Sequence, residues 1–174
     1  MKAAALFVLV ATLITTGNAI AGGGGEIRPQ GIDAAAERLQ DRAHALIRSA
    51  EELELFLSAE PAWSPLRALS DSGRRQFLGS LDFSDQGLAS YSIAGLQGAD
   101  EHLQISILEL FGEQASLTAF AGASKDSPSS DQSVRAKPPA LHPQPGVDYP
   151  GYKCVGKGTC EQSFRDTICI GDNC

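Results

Sequence analysis

Four cysteines are the residues nearest to chemistry in this chain: Cys154, Cys160, Cys169 and Cys174, spaced C-x5-C-x8-C-x4-C. Four thiolates can hold a tetrahedral metal, but such sites are usually presented as close pairs of the C-x2-C kind. That spacing is absent here, and with it the C-x-x-C arrangement that depresses a thiol pKa. An even number of cysteines in an oxidising compartment reads as two disulfides, and no metal is assigned to them. Three connectivities are open to four cysteines. Val155-Gly156-Lys157-Gly158-Thr159 reads as a tight hairpin turn that sets Cys154 opposite Cys160, at the reach of a cross-strand bond. Cys169 would then pair with Cys174, and this connectivity is weakly preferred.

The remaining chemistry-bearing types do not assemble in sequence. His44, His102 and His142 have no partner at metal-ligand spacing, and the first two fall on polar helix faces. Asp82 and Asp85 flank a turn, but a calcium loop needs more oxygen ligands at regular spacing. There is no G-x-S-x-G, S-x-x-K, H-E-x-x-H or glycine-rich phosphate loop. The sequence therefore assigns no catalytic residue, no cofactor and no metal ligand, and it resembles no family by motif.

The compartment is read from the first residues. Met1-Lys2 carries one positive charge, Ala3 to Ile14 is an apolar run, and Ala19-Ile20-Ala21 has the small-x-small pattern of a signal-peptidase site. The apolar run is shorter than the roughly 20 residues of a membrane span, so residues 1–21 are expected to be a cleaved export signal. No later stretch is apolar for long enough to span a bilayer. Lys+Arg 14 against Asp+Glu 21 gives −7, and losing the one lysine of residues 1–21 makes it 13 − 21 = −8. That balance argues against nucleic acid, whose phosphates select clustered cations, and against adhesion to anionic membranes.

Elements that would position these groups follow from periodicity. Residues 22–31 begin with four glycines and read as a flexible start, with Asp33 as the first helix cap. Asp33 to Ala59 lacks Gly and Pro, and Ala36, Leu39, Ala43, Leu46, Ala50, Leu53 and Leu57 repeat at spacings of 3 and 4. The pattern predicts one long helix, read as a core helix in preference to a dimeric coiled coil, ended before Pro61. Glu51, Glu52 and Glu54 would sit in its last turns, against the helix dipole, with Arg67, Arg74 and Arg75 available to neutralise them. Short helices follow over residues 64–82, one capped by Ser70 or Ser72. A hairpin is predicted from Leu81 to Ile93, turning at Ser84-Asp85-Gln86-Gly87. A further helix runs from Ala99 to Phe111, with Gly112 as its left-handed cap.

Composition changes after Ala121. Residues 122–148 are rich in serine and proline and read as a disordered linker, and residues 149–174 as a small unit that needs its disulfides. The expected fold class is mainly α: a helical domain over 32–121 with a minor β-hairpin, then the linker and a disulfide-stapled tail. The expected function is that of an exported, non-enzymatic interaction protein with an unknown protein or surface partner, the tail being the presented element. The alternative is an exported enzyme or enzyme inhibitor whose site forms only in the fold.

Overall fold

The computed structural model describes residues 30–118 and 140–174. The export signal 1–21, the glycines of the 22–31 segment and linker residues 122–139 lie outside the described residues. Within them the fold is mixed α/β rather than mainly α. Four α-helices stand with six strands in two antiparallel sheets.

The single long helix predicted over 33–59 is two helices, α1 (Gln30–His44) and α2 (Ala50–Ser58). Ser49-Ala50-Glu51-Glu52 has the capping-box pattern; its Ser49 half forms, while Glu52 reaches one residue before the cap. The Ser49 hydroxyl accepts from the Glu52 N–H at 3.2 Å, and the Glu52 carboxylate accepts from the Arg48 N–H at 2.6 Å. Between the helices the chain turns so that Ile47 is fully buried and its N–H reaches the Leu110 carbonyl at 2.8 Å. The break also removes the dipole conflict. Glu51 and Glu52 now lie in the first turn of α2, where anions are favoured, and Arg74 pairs with Glu60 instead, at 3.0 Å.

Only the end of the heptad seam reaches the core, where Leu53 and Leu57 of α2 pack against it. Ala36, Leu39, Ala43 and Leu46 are exposed, Leu39 and Leu46 by about half (53% and 52%), while Arg42 is the residue α1 buries. A buried cation must be met by counter-charge, and that need, rather than apolar periodicity, sets the rotation of α1.

Other local expectations agree with the structure. Ser70 caps α3 (Asp71–Leu78) by accepting from the Gly73 N–H at 3.1 Å. The helix predicted from Ala99 to Phe111 is α4 (Glu101–Glu109), and the structure adds Asp100 as its cap, accepting from the Leu103 N–H at 2.9 Å. The predicted hairpin forms as β1 (Asp82–Ser84) and β2 (Gly87–Ser92), with Gly87 at φ 135°.

The tail corrects the fold class most. Strands β3 (Asp148–Pro150), β4 (Tyr152–Gly156), β5 (Thr159–Gln162) and β6 (Thr167–Ile170) follow in the C-terminal segment. β6 inserts between β2 and β3, giving one sheet ordered β1-β2-β6-β3; β4 and β5 form a separate hairpin. Tyr91 faces Ile168 across the β2–β6 ladder. Both join Phe77, Leu96, Ile107, Leu108 and Phe111 in one core, with Ile170 beside them. The stapled segment is thus part of the domain and not an appended tip. The reason is energetic: two strands alone are marginal in water, and β6 supplies the third strand and two buried isoleucines. Residues 140–148, assigned by composition to the linker, are also held. Leu141 bridges Cys160 through reciprocal backbone bonds of 2.8 and 2.9 Å, and the Gly146 N–H reaches Asp172 at 2.6 Å. No helix among the described residues is long and apolar enough to cross a membrane.

Candidate functional site

Side-chain alternation in the sheet decides what meets what. Successive residues of a strand face opposite sides, so Tyr91, Ile168 and Ile170 point to the helices while Ser90 and Cys169 point away. Asp148 is the ladder partner of Ile170 and shares its side. It therefore meets α1, where Arg42 waits.

Arg42 gathers three carboxylates from three distant parts of the chain. Its Nε donates to Glu113 at 2.8 Å, one terminal nitrogen to Asp148 at 3.1 Å, and the other to Asp172. Glu113 is delivered by the turn that ends α4. Gly112 adopts φ 70°, and the Glu113 N–H closes on the Leu108 carbonyl at 2.9 Å, a Schellman closure. A Cβ at Gly112 would come within 2.7 Å of the Arg42 Cα, so glycine is required there for conformation and for space.

Three acids around one cation leave excess negative charge in a dry site. Burial pushes the Glu113 carboxyl up to about 8, with Asp148 and Asp172 adding to the rise and Arg42 opposing it. Burial works against the Arg42 charge, but Glu113, Asp148 and Asp172 outweigh it and raise the guanidinium above its ordinary value. Burial, then Glu113, holds the neighbouring Tyr91 phenol well above its usual range. Tyr91 shares a hydrogen bond with Ser116, whose hydroxyl donates to the Glu113 carbonyl at 2.6 Å.

The cluster also fixes the segment that follows β6. Asp172 is held by Arg42 and Gly146; Asn173 donates to the Leu88 carbonyl at 2.9 Å and its own carbonyl accepts from Ser84. Cys174 is thereby placed at one end of a surface groove of about 530 Å³. One wall is β1 and the turn after it, with Asp82 and Asp85; the other is β4 and the turn after it, with Lys153, Val155 and Lys157. Lys153 meets Asp82 at 2.9 Å, and Lys157 meets Asp85 at 3.7 Å, both members of the latter pair being more than 80% exposed. The Cys154–Cys174 disulfide lies in the groove.

All four cysteines are paired, as Cys154–Cys174 and Cys160–Cys169. The preferred connectivity was different, although its geometric premise holds: Cys154 and Cys160 are ladder partners across β4–β5. Both sulfurs point off one face of the hairpin, toward β6 and the segment after it, and bond there. The pairing closes separations of 20 and 9 residues, and longer closed loops constrain the unfolded chain more.

The histidines do not converge. His44, His102 and His142 are exposed on α1, α4 and the segment before β3; His44 contacts the Gln40 carbonyl at 2.8 Å and His142 the Gly158 carbonyl at 3.0 Å. Asp82 and Asp85 face lysines. The residues that sequence reasoning missed are Arg42, Glu113, Asp148 and Asp172 in the cluster and Lys153 and Lys157 on the groove. Each looks like an ordinary surface charge in the linear chain; the turn after α4 brings Glu113 to Arg42, and the β3–β6 register brings Asp148 to it with Asp172 following β6. Comparison with protein-family models, with curated proteins and with solved structures gave no match.

Proposed function

We propose that this is an exported, non-enzymatic interaction protein that binds an extended polypeptide segment of a partner in the groove between the β1–β2 turn and β4. The reading rests on one observation: the groove sets two carboxylates on one wall against two ammonium groups on the other, beside a disulfide. An extended segment presents side chains to alternate sides. Basic residues on one side and acidic residues on the other would replace the internal pairs. The Lys157–Asp85 pair is long and solvated, so opening it costs little. The disulfide-bonded hairpin remains the presented element, now as a wall of the groove.

Selection from a displayed library of random short peptides tests this. Bound sequences should carry opposite charges on alternate positions, and Lys157→Glu should weaken them at least about tenfold, a difference of about 1.4 kcal/mol. A charge-reversed peptide should recover the variant. Equal affinity for the native protein and Lys157→Glu would overturn the proposal.

The exported location is part of the same reading. It is supported by the charge, apolar run and small-residue site within residues 1–21 and by two disulfides, which suit an oxidising compartment. The intact mass of protein recovered outside the cytoplasm should correspond to loss of residues 1–21 and of the four hydrogens of two disulfides. Four free thiols in that material would refute it.

A further inference from the structure

The two disulfides are not independent in space. The Sγ atoms of Cys154, Cys169 and Cys174 all lie within 4.8 Å of one another, although they come from β4, β6 and the segment beyond β6. Their surroundings differ sharply. Cys160 and Cys169 are fully buried, whereas Cys154 and Cys174 are half-buried and line the groove. Thiol–disulfide exchange needs an accessible bond, a thiolate and a second sulfur within reach. The groove supplies the first, an external dithiol brings the second, and Cys169 is the third.

We propose that the groove is a site of thiol–disulfide exchange with an external dithiol, in which Cys154–Cys174 is the entry bond and Cys169 relays the exchange to the buried pair. This extends beyond peptide binding and does not depend on it. One thiolate of the dithiol attacks Cys154 or Cys174, forming a mixed disulfide and expelling the other cysteine as a thiolate. The second thiol of the reagent closes on the first, so the dithiol is oxidised by two electrons and the protein bond reduced by two. The two protons go to the released cysteines. A thiolate of Cys154 or Cys174 then attacks Cys169, forming a new bond to it and expelling Cys160, which is protonated. No further electrons are consumed in this second step.

The consequence is mechanical. Cys160–Cys169 ties β5 to β6, and the relay replaces that tie with one to β4 or to residue 174. A partner dithiol entering the groove would therefore loosen β5 without reaching the buried bond itself.

The experiment treats the full-length protein with one equivalent of dithiothreitol, traps thiols with an alkylating reagent at increasing times, and maps labels by peptide mass spectrometry. Label should appear first on Cys154 and Cys174. It should then appear on Cys160 together with one of those two, while Cys169 stays bonded to the other. Label confined to Cys154 and Cys174 at every time would overturn the relay, and first label on Cys160 and Cys169 would overturn the entry bond. Cys160→Ser gives a second reading without reductant. Non-reducing maps of the folded variant should contain Cys169 bonded to Cys154 or Cys174, and a map with only Cys154–Cys174 and a labelled Cys169 would overturn the relay independently.

Discussion

At the residue scale Arg42 carries the greatest consequence for stability. It is the sole cation bonded to Glu113, Asp148 and Asp172 among the described contacts, and Glu113 and Asp148 are almost wholly excluded from water. Breaking a buried pair strands its partner, at a cost of about 3–5 kcal/mol. Arg42→Ala should lose at least that much in denaturant unfolding at neutral pH; a loss below about 1 kcal/mol would show that the carboxylates can reach water. Glu113 behaves differently because its folded value, about 8, lies above its ordinary 4.5. The folded protein then binds more protons than the unfolded chain between those values. This group's contribution is present at low pH and is lost as pH rises from about 4.5 through about 8. Glu113→Gln removes the titration while keeping an acceptor for Arg42, so its stability should fall less than the native protein's over that interval. Parallel stability–pH curves would sink the assignment.

At the element scale, ends and turns place the cluster more than helix interiors do. The Ser49 cap restarts the helix after a break that lets Ile47 enter the core. Ser49→Ala should cost about 1 kcal/mol, the usual value of such a cap, visible as a lowered denaturation midpoint with unchanged slope. The turn after α4 is less tolerant. Gly112→Ala places a side chain in a left-handed conformation, which alone costs about 1–2 kcal/mol, and sets its Cβ within 2.7 Å of the Arg42 Cα. The variant should be destabilised by more than the conformational cost, and the excess should persist when Arg42 is already replaced by Ala, because the atoms met are the backbone of Asp41 and Arg42. A loss no larger than the conformational cost would mean that the α1 backbone shifts freely.

At the scale of the whole molecule, the N- and C-terminal described segments share one sheet and one core. β6 lies between β2 and β3, its isoleucines complete the core around Phe77 and Phe111, and Asp148 and Asp172 complete the charge cluster on α1. A chain ending at residue 139 lacks β3 to β6 and leaves Leu88 and Tyr91 without those partners. It should show no cooperative thermal transition and little near-ultraviolet dichroism. A sharp transition would mean that the helices and the first hairpin form a stable core without the sheet.

The difference between what was legible in the sequence and what was not follows the range of the interactions involved. Ser70 as a cap, Gly112 as a left-handed terminus and the Gly87 turn were readable because each depends on a few neighbouring residues. The hairpin that sets Cys154 beside Cys160 was readable for the same reason. The Ser49 cap was equally local; the heptad spacing that runs across it masked it. The placement of β6 depends on strand register between segments more than 70 residues apart, as in Ser90 opposite Cys169, and the disulfide partners and the Arg42 cluster depend on where β6 and the residues after it then lie. A register is chosen by which faces must be buried, and that choice exists only once the sheet has assembled. The sequence alone determined the local turns and caps; tertiary structure decided which cysteines bond, which charges are buried and where the groove lies.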